Sequence, residues 1–221
     1  MLIELRDINF EYEDSVALKD ITLSVEKGEC IGLEGDNGSG KSTLLKLLNG
    51  LVFQSSGTYL FDGTKIDGKV LKDERFSKAF HQRIGYIFQN PDTQLFCGSV
   101  REEVEFGPRQ MGLSEEEIRK RADDVIAMIG LEKLEERPPY HLSGGEKKKT
   151  AIACVLSMNP EILMIDEPMS GLDRKTREWM LGFLKAWKKA GKTLIIVTHD
   201  EKLLAEIADR VVTIGEDHRI V

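Results

Sequence analysis

Residues 35–43 read Gly-Asp-Asn-Gly-Ser-Gly-Lys-Ser-Thr, which fits the pattern G-x-x-x-x-G-K-[ST]. Those residue types at that spacing bind phosphate. Gly35, Gly38 and Gly40 can take backbone conformations closed to other residues, so consecutive N–H groups converge on one anion. A helix opening at Lys41 adds roughly half a positive charge at its N-terminus. Lys41 can reach the β- and γ-phosphates of a nucleoside triphosphate, and the Ser42 hydroxyl can ligate Mg²⁺. Asn37, Ser39 and Thr43 belong to the same nucleotide-binding set. The motif requires a strand before it and a helix after it. Apolar Ile31-Gly32-Leu33 precedes it, and Leu44, Leu45, Leu47 and Leu48 follow. An ordinary glycine turn before a core helix does not need the Gly-Lys-Ser-Thr ending.

Four apolar residues, Ile162 to Ile165, run into Asp166-Glu167. A carboxylate pair at the C-terminal end of a buried strand sits where open α/β sheets bind ligands. Asp166 can hold Mg²⁺ directly or through water. Glu167 projects differently and is the candidate general base for an attacking water. Gln89 follows the apolar stretch ending at Phe88, where its amide can bind Mg²⁺ or water beside the γ-phosphate. His199 follows the apolar run 193–198 and reaches the same sheet edge, close to the γ-phosphate or the water. Taken singly, a strand-end glutamine or histidine is more often plain surface or structure. Their common edge gives them meaning here.

Leu142-Ser143-Gly144-Gly145-Glu146 forms a second potential anion site. Ser143 is a natural N-cap, and Gly144 and Gly145 leave backbone N–H groups uncovered at a helix start. A phosphate-loop enzyme ordinarily needs one such site. A second implies a nucleotide held between two surfaces.

The elements that must position these groups follow from periodicity. Residues 2–9 and 18–25 alternate apolar with polar, as antiparallel strands of a half-exposed sheet do. Segments 1–28 and 57–66 together make an antiparallel β subdomain. Buried strands are expected at 30–34, 84–88, 162–166 and 193–198, and short ones at 210–214 and 218–221. Helices are expected at 99–106, 144–158, 173–190 and 200–208, with one more helical turn over 131–136. Ser114-Glu115-Glu116-Glu117 is a capping box opening a helix whose apolar residues Ile118, Ala122, Val125, Ile126 and Ile129 end at Gly130. Residues 90–142 thus read as a helical insert in one α/β domain spanning 1–221. The Lys147-Lys148-Lys149 run reads as a solvated helix face. With 41% hydrophobic and 31% charged residues the chain can bury a core, and no run approaches a transmembrane span. A net charge of -7 argues against a nucleic-acid binder. Cys30, Cys97 and Cys154 are odd in number and lack a C-x-x-C pattern, as expected of free thiols in a reducing cytosol.

Leu-Ser-Gly-Gly-Glu at 142–146 resembles the signature of ABC-type ATPases. The order phosphate loop, Gln89, signature, Asp166-Glu167, Ser170-Gly171-Leu172-Asp173, His199 is that family's motif order across essentially the whole chain. The resemblance implies an ABC-type phosphate-loop core of mixed and parallel sheet with helices, beside the antiparallel β and α-helical subdomains. It implies ATP and Mg²⁺ as cofactors and a head-to-tail dimer. In such a dimer Ser143, Gly144 and Gly145 of one subunit close over ATP on the phosphate loop of the other, with Asp173 along the interface. Tyr12 stands where the family stacks an aromatic ring on adenine, though an ordinary strand aromatic fits that place as well.

Phe88-Gln89-Asn90-Pro91-Asp92-Thr93-Gln94-Leu95-Phe96, Glu105-Phe106-Gly107-Pro108-Arg109 and Arg137-Pro138-Pro139-Tyr140-His141-Leu142 are similar to ATPases of energy-coupling-factor transporters. That likeness implies a cytoplasmic subunit, peripheral on the inner face of the membrane, that powers uptake of vitamins or transition-metal ions. Its partners would be a second ATPase subunit, identical or paralogous, and a transmembrane coupling protein docking near 88–110. A membrane substrate-binding protein would be an indirect partner, with no nucleic acid involved. The alternatives are a soluble ABC ATPase, such as a cluster-assembly ATPase, and the ATPase of another ABC transporter class. The insert's likeness decides against them. Two residues depart from the pattern: Glu146 stands where many relatives have Gln, and Met169 replaces a common Thr.

Overall fold

The computed structural model describes residues 1–13 and 15–221. The first sheet is antiparallel and built from β1 (Ile3–Tyr12), β2 (Ser15–Val25), β4 (Ser56–Phe61) and β5 (Thr64–Lys65), in the order β2-β1-β4-β5. Its register pairs Ile3 with Val25 and Leu5 with Leu23 on one side, and Ile3 with Phe61 on the other. Each of these apolar pairs therefore falls on the same buried face, which fixes the register against a one-residue slip.

The second sheet is parallel. It consists of β3 (Cys30–Glu34), β6 (Ile84–Ile87), β7 (Ile162–Asp166), β8 (Thr193–Val197) and β9 (Arg210–Thr213), in the order β6-β7-β8-β3-β9. Every residue of β6, β7 and β8 is buried, as continuous apolar strands covered on both faces must be. Period-2 alternation then sorts side chains between two cores. Ile162, Met164, Ile195 and Val197 join the core shared with the antiparallel sheet and α1 (Lys41–Leu48). Leu163, Ile165, Leu194 and Ile196 join a second core with the helices on the other face.

Those helices are α3 (Val100–Gln110), α4 (Glu115–Ile129), α5 (Gly144–Leu156), α6 (Arg174–Lys189) and α7 (Glu201–Ile207). The capping box at Ser114 and Glu117 is formed, and Gly130 ends α4 at φ 77°, a left-handed cap that glycine takes without a Cβ penalty.

Several local expectations need correction. Helix α3 does not stop at Phe106 but continues to Gln110 with Pro108 inside it. Residues 131–136 form successive turns closed by Leu134 N–H to the Leu131 carbonyl and Arg137 N–H to the Leu134 carbonyl, not a helical turn. At 218–221 there is a single bridge, Ile214 with Ile220, and no strand. Residues 74–83, to which periodicity assigned nothing, form helix α2 (Glu74–Arg83), capped by the Asp73 carboxylate accepting from Phe76 N–H. The lysine run is not a uniformly solvated face, because Lys148 is 2% exposed. Cys30 is buried, and burial pushes its thiol up to about 11, as in an inert core residue.

Candidate nucleotide site

Strand β3 ends at Glu34 and α1 begins at Lys41, so the phosphate loop spans the sheet's C-terminal edge. Gly35 and Gly40 hold φ of 138° and 111°. A Cβ on Gly35 would lie 2.2 Å from the Ile214 carbonyl oxygen, and one on Gly40 would lie 2.1 Å from that of Ala17. Backbone of β2 and of the residue after β9 thus closes on this loop, and no side chain fits at either glycine. The first turn of α1 carries no acidic residue to offset its positive end. Lys41 curls over the loop, its Nζ donating to the Gly35 and Asp36 carbonyls at 2.7 Å each. Burial lowers its pKa. The Ser39 hydroxyl oxygen is buried with no hydrogen-bond partner. An orphaned hydroxyl beside converging amides fits an anion held by the loop.

Asp166 closes β7 and is 5% exposed. Glu167 follows at φ 46°, a left-handed conformation uncommon for a side chain larger than Asn. Its amide donates to the Val197 carbonyl at 2.8 Å, which locks that backbone in place. Thr198 Oγ1 donates to Glu167 Oε2 at 3.3 Å. Glu167 Oε1 is buried without a hydrogen-bond partner, and His199 Nε2 stands 3.6 Å from it. A carboxylate on a strained backbone, with one oxygen unsatisfied beside an imidazole, can accept a proton from a group that reaches that oxygen.

Gly40, Lys41, Asp166, Glu167 and His199 share one cleft of ≈ 690 Å³, whereas Gly35 and Ser39 do not line it. Its floor is Gly38, Gly40, Lys41, Ser42 and Thr43, with Asn37 at the loop's crown. One wall carries Gln89, Asp166, Glu167 and His199. Tyr12 lines it as well, 40% exposed and edge-on to Phe10 with ring centroids 4.7 Å apart. Ser42, Gln89 and Asp166 supply hard oxygen ligands of the kind Mg²⁺ takes. Among the described residues there is no cluster of three His, Cys, Asp or Glu that could cage a metal. A hydroxyl, an amide and a single carboxylate suit an ion that keeps its waters and shares phosphate oxygens.

Ser143, Gly144, Gly145 and Asp173 lie outside this cleft. Ser143 caps α5 and sits exposed with Gly144. Asp173 caps α6, accepting from Thr176 N–H, a bond that holds its carboxyl below the usual range. A Cβ on Gly145 would lie 2.8 Å from Thr176 Oγ1, so the two helix starts are packed against one another as a single surface.

Several residues of the site are not legible in the sequence, Ser15, Val16, Ala17 and Val197 of the cleft lining among them. Ser170 lines the cleft too, where the sequence marks it only as part of the Ser170-Gly171-Leu172-Asp173 motif. His218 lines it too, with Nδ1 3.1 Å from the Ser39 carbonyl and φ at 63°. No spacing in the sequence marks it. Lys148 donates through Nζ to the Phe88 carbonyl at 3.0 Å and the Gln89 carbonyl at 3.2 Å. Burial pushes it down to about 8, against the pull of Asp166 and Glu167. Its helical spacing with the buried Ile152 and Val155 was a signal that could have found it.

Known proteins bear on this geometry. The family model described as "ABC transporter" matches residues 18–170. The energy-coupling factor transporter ATP-binding protein EcfA of Methanothermobacter thermautotrophicus is 41% identical over 220 residues, covering 99% of this chain and 70% of that protein. The structure of cbiO1 from Clostridium perfringens, described as part of the ABC transporter complex cbiONQ, superposes with a TM-score of 0.85 at 39% identity, over 100% of this chain and 86% of that one. A dimeric post-hydrolysis structure of the ATP-binding cassette MJ0796 with ADP and Pi superposes with a TM-score of 0.85 at 30% identity, over 99% of this chain and 96% of that one. With the phosphate loop, carboxylate pair and signature placed as above, the chain belongs to the ABC transporter family, as an ATP-binding subunit whose ATP hydrolysis is coupled to transport.

Proposed function

We propose that the chain drives a membrane importer of the energy-coupling-factor type, for a vitamin or a transition-metal ion. In this reading it is cytoplasmic and peripheral on the membrane. It works as a head-to-tail pair with a second ATPase subunit on a transmembrane coupling protein, which joins it to a membrane substrate-binding protein. The observation that carries this reading is an apolar groove of ≈ 410 Å³ beside the nucleotide cleft. Phe88, Phe96, Phe106 and Met111 line it, all but Met111 within 88–110. Phe96 is 69% exposed and Phe106 41%. Phe88 opens onto this groove while its neighbour Gln89 opens onto the cleft. An apolar segment of the coupling protein seated there would feel any movement of Gln89. The likeness to EcfA supports the same choice. No helix among the described residues is long and apolar enough to cross a membrane itself.

In the cleft, Lys41 and the loop amides hold the β- and γ-phosphates, and Tyr12 stacks on the adenine ring. Ser42, Gln89 and Asp166 would hold Mg²⁺, which neutralises charge on the phosphates. Glu167 takes a proton from the attacking water, and His199 positions the γ-phosphate. Ser143, Gly144 and Gly145 of the second subunit complete the γ-phosphate side, with Asp173 at the seam. Phosphoryl transfer of this kind is mostly positioning and electrostatic stabilisation. The test is co-purification from membranes with a Phe106→Glu comparison. The parent should recover an integral membrane protein, and Phe106→Glu should lose it while the soluble chain still hydrolyses ATP. Recovery of soluble partners alone sinks the importer reading.

A further inference from the structure

We infer that Lys148 is a positioning residue for hydrolysis: it pins the Phe88–Gln89 main chain to the signature helix, so that the Gln89 of one cleft and the Ser143 offered to the partner's cleft move as one body. The proposal rests on ATP hydrolysis and on Gln89 acting at the γ-phosphate; it is independent of the transporter's type.

The geometry is specific. Lys148 lies five residues beyond the α5 cap Ser143 and is 2% exposed. Its ammonium donates to two consecutive carbonyls, those of Phe88 and Gln89. No carboxylate of the described residues pairs with it within 4.0 Å. A buried ammonium with only carbonyl partners is a poor device for stability, since an apolar side chain of similar length avoids the desolvation cost. What the ammonium does that an apolar chain does not is hold the main chain at the point where β6 turns into the cleft. It also brings a positive charge toward Asp166 and Glu167, whose attraction it feels. Its neighbour Lys147 makes a parallel tie, Nζ to Asp92 Oδ1 at 2.6 Å, but there Asp92 is exposed and solvent screens the pair. The buried tie is the one that transmits position.

The experiment compares the parent with Lys148→Met, Lys148→Gln, Lys147→Ala and Gln89→Ala in the purified full chain. It measures steady-state ATPase, nucleotide affinity without Mg²⁺, Mg²⁺ dependence and melting temperature. Groups that orient a metal's ligands typically cost about 10–100-fold when removed. Lys148→Met should therefore lower kcat by about tenfold or more and raise the Mg²⁺ concentration for half-maximal turnover. Nucleotide affinity should stay within about twofold, and the melting temperature should hold or rise. Lys148→Gln, keeping an N–H donor group without the charge, should recover part of kcat, and Lys147→Ala should match the parent. Should Lys148→Met fail to fold, Lys148→Gln carries the same comparison. Parental kcat in the Lys148 variants, or loss of kcat together with melting temperature and nucleotide affinity, overturns the inference. If Gln89→Ala keeps parental turnover and Mg²⁺ dependence, the reading of Gln89 itself fails, a result distinguishable from an impaired Gln89→Ala beside an unimpaired Lys148→Met.

Discussion

The Ser143 hydroxyl donates to Glu146 Oε2 at 2.7 Å, and the same carboxylate oxygen accepts the Ser143 backbone N–H at 2.8 Å. This capping box steadies the start of α5, and the two bonds hold the Glu146 carboxyl below its usual 4.5. It also commits the hydroxyl that the partner's γ-phosphate would use, and places a negative charge beside it. Glu146→Gln should keep the cap, since an amide oxygen accepts the same bonds, and remove the charge. Turnover at limiting ATP should rise, by about twofold to tenfold if one screened repulsion is relieved. The ATP concentration for half-maximal rate should fall. Unchanged ATP dependence argues that Glu146 turns away on closure.

The same box makes a pH prediction. A carboxyl held low in the folded state contributes stability that is fully present above 4.5 and is lost as pH falls through the folded value. The melting temperature of Glu146→Ala should sit below the parent's near neutrality and converge toward it in acid. A difference that persists unchanged in acid would mean the cap works through geometry alone.

Glu167 combines a left-handed backbone with a buried, unpartnered Oε1. Glu167→Gln keeps the Thr198 bond and the shape but cannot take a proton. ATP binding should persist, kcat should fall by about 10²–10⁴-fold, and a closed dimer should accumulate with ATP by light scattering. Near-parental hydrolysis would remove Glu167 as the base.

Gly40→Ala tests the loop. Its Cβ would meet the Ala17 carbonyl at 2.1 Å with φ at 111°, so either the loop or β2 must move. Strain of this sort costs about 1–3 kcal/mol for the backbone alone. The variant should lose ATP binding by isothermal titration and melt earlier. Gly38→Ala, with nothing within 4 Å of the added carbon, meets only the cost of its φ of 86° and should be milder.

The parts legible in the sequence were those whose chemistry is local. The phosphate loop, the strand-end acids, the Ser114–Glu117 box and the Ser143 cap each announce themselves within a few residues, because glycine conformation and capping are short-range physics. Helix α2 was missed for the opposite reason: among its ten residues Phe80 alone is fully buried, and its apolar stripe is short, with Phe76 stacked on Phe80 one turn away. Its start rests on Asp73, a cap without a periodic run behind it. His218 and Lys148 reach the site through contacts with residues 179 and 59–60 positions away, to Ser39 and to Phe88 and Gln89. Only the sheet order β6-β7-β8-β3-β9 brings those segments together.

The phosphate loop and the signature of one chain do not line the same cleft: Lys41 and Ser42 line it, and Ser143 to Gly145 lie outside it at the start of α5. If two chains complete each other's sites, defects should complement in a defined ratio. Ser143→Arg should bind nucleotide as a monomer yet fail to turn over, because the arginine obstructs the partner's cleft. Lys41→Ala should fail to hold the phosphates in its own. Mixed one to one, half of the dimers pair the two variants at random. Each such dimer has one composite site with an intact loop facing an intact signature, and one site carrying both defects. ATPase should therefore reappear on mixing, at no more than about a quarter of the parental rate per chain if sites act independently. Absence of any recovery in a mixture that gel filtration shows to dimerise would mean either that both sites must be intact together or that the site is not shared. Lys41→Ala mixed with the parent chain separates these. A site that is not shared leaves mixed dimers half active, whereas obligate coupling leaves them silent.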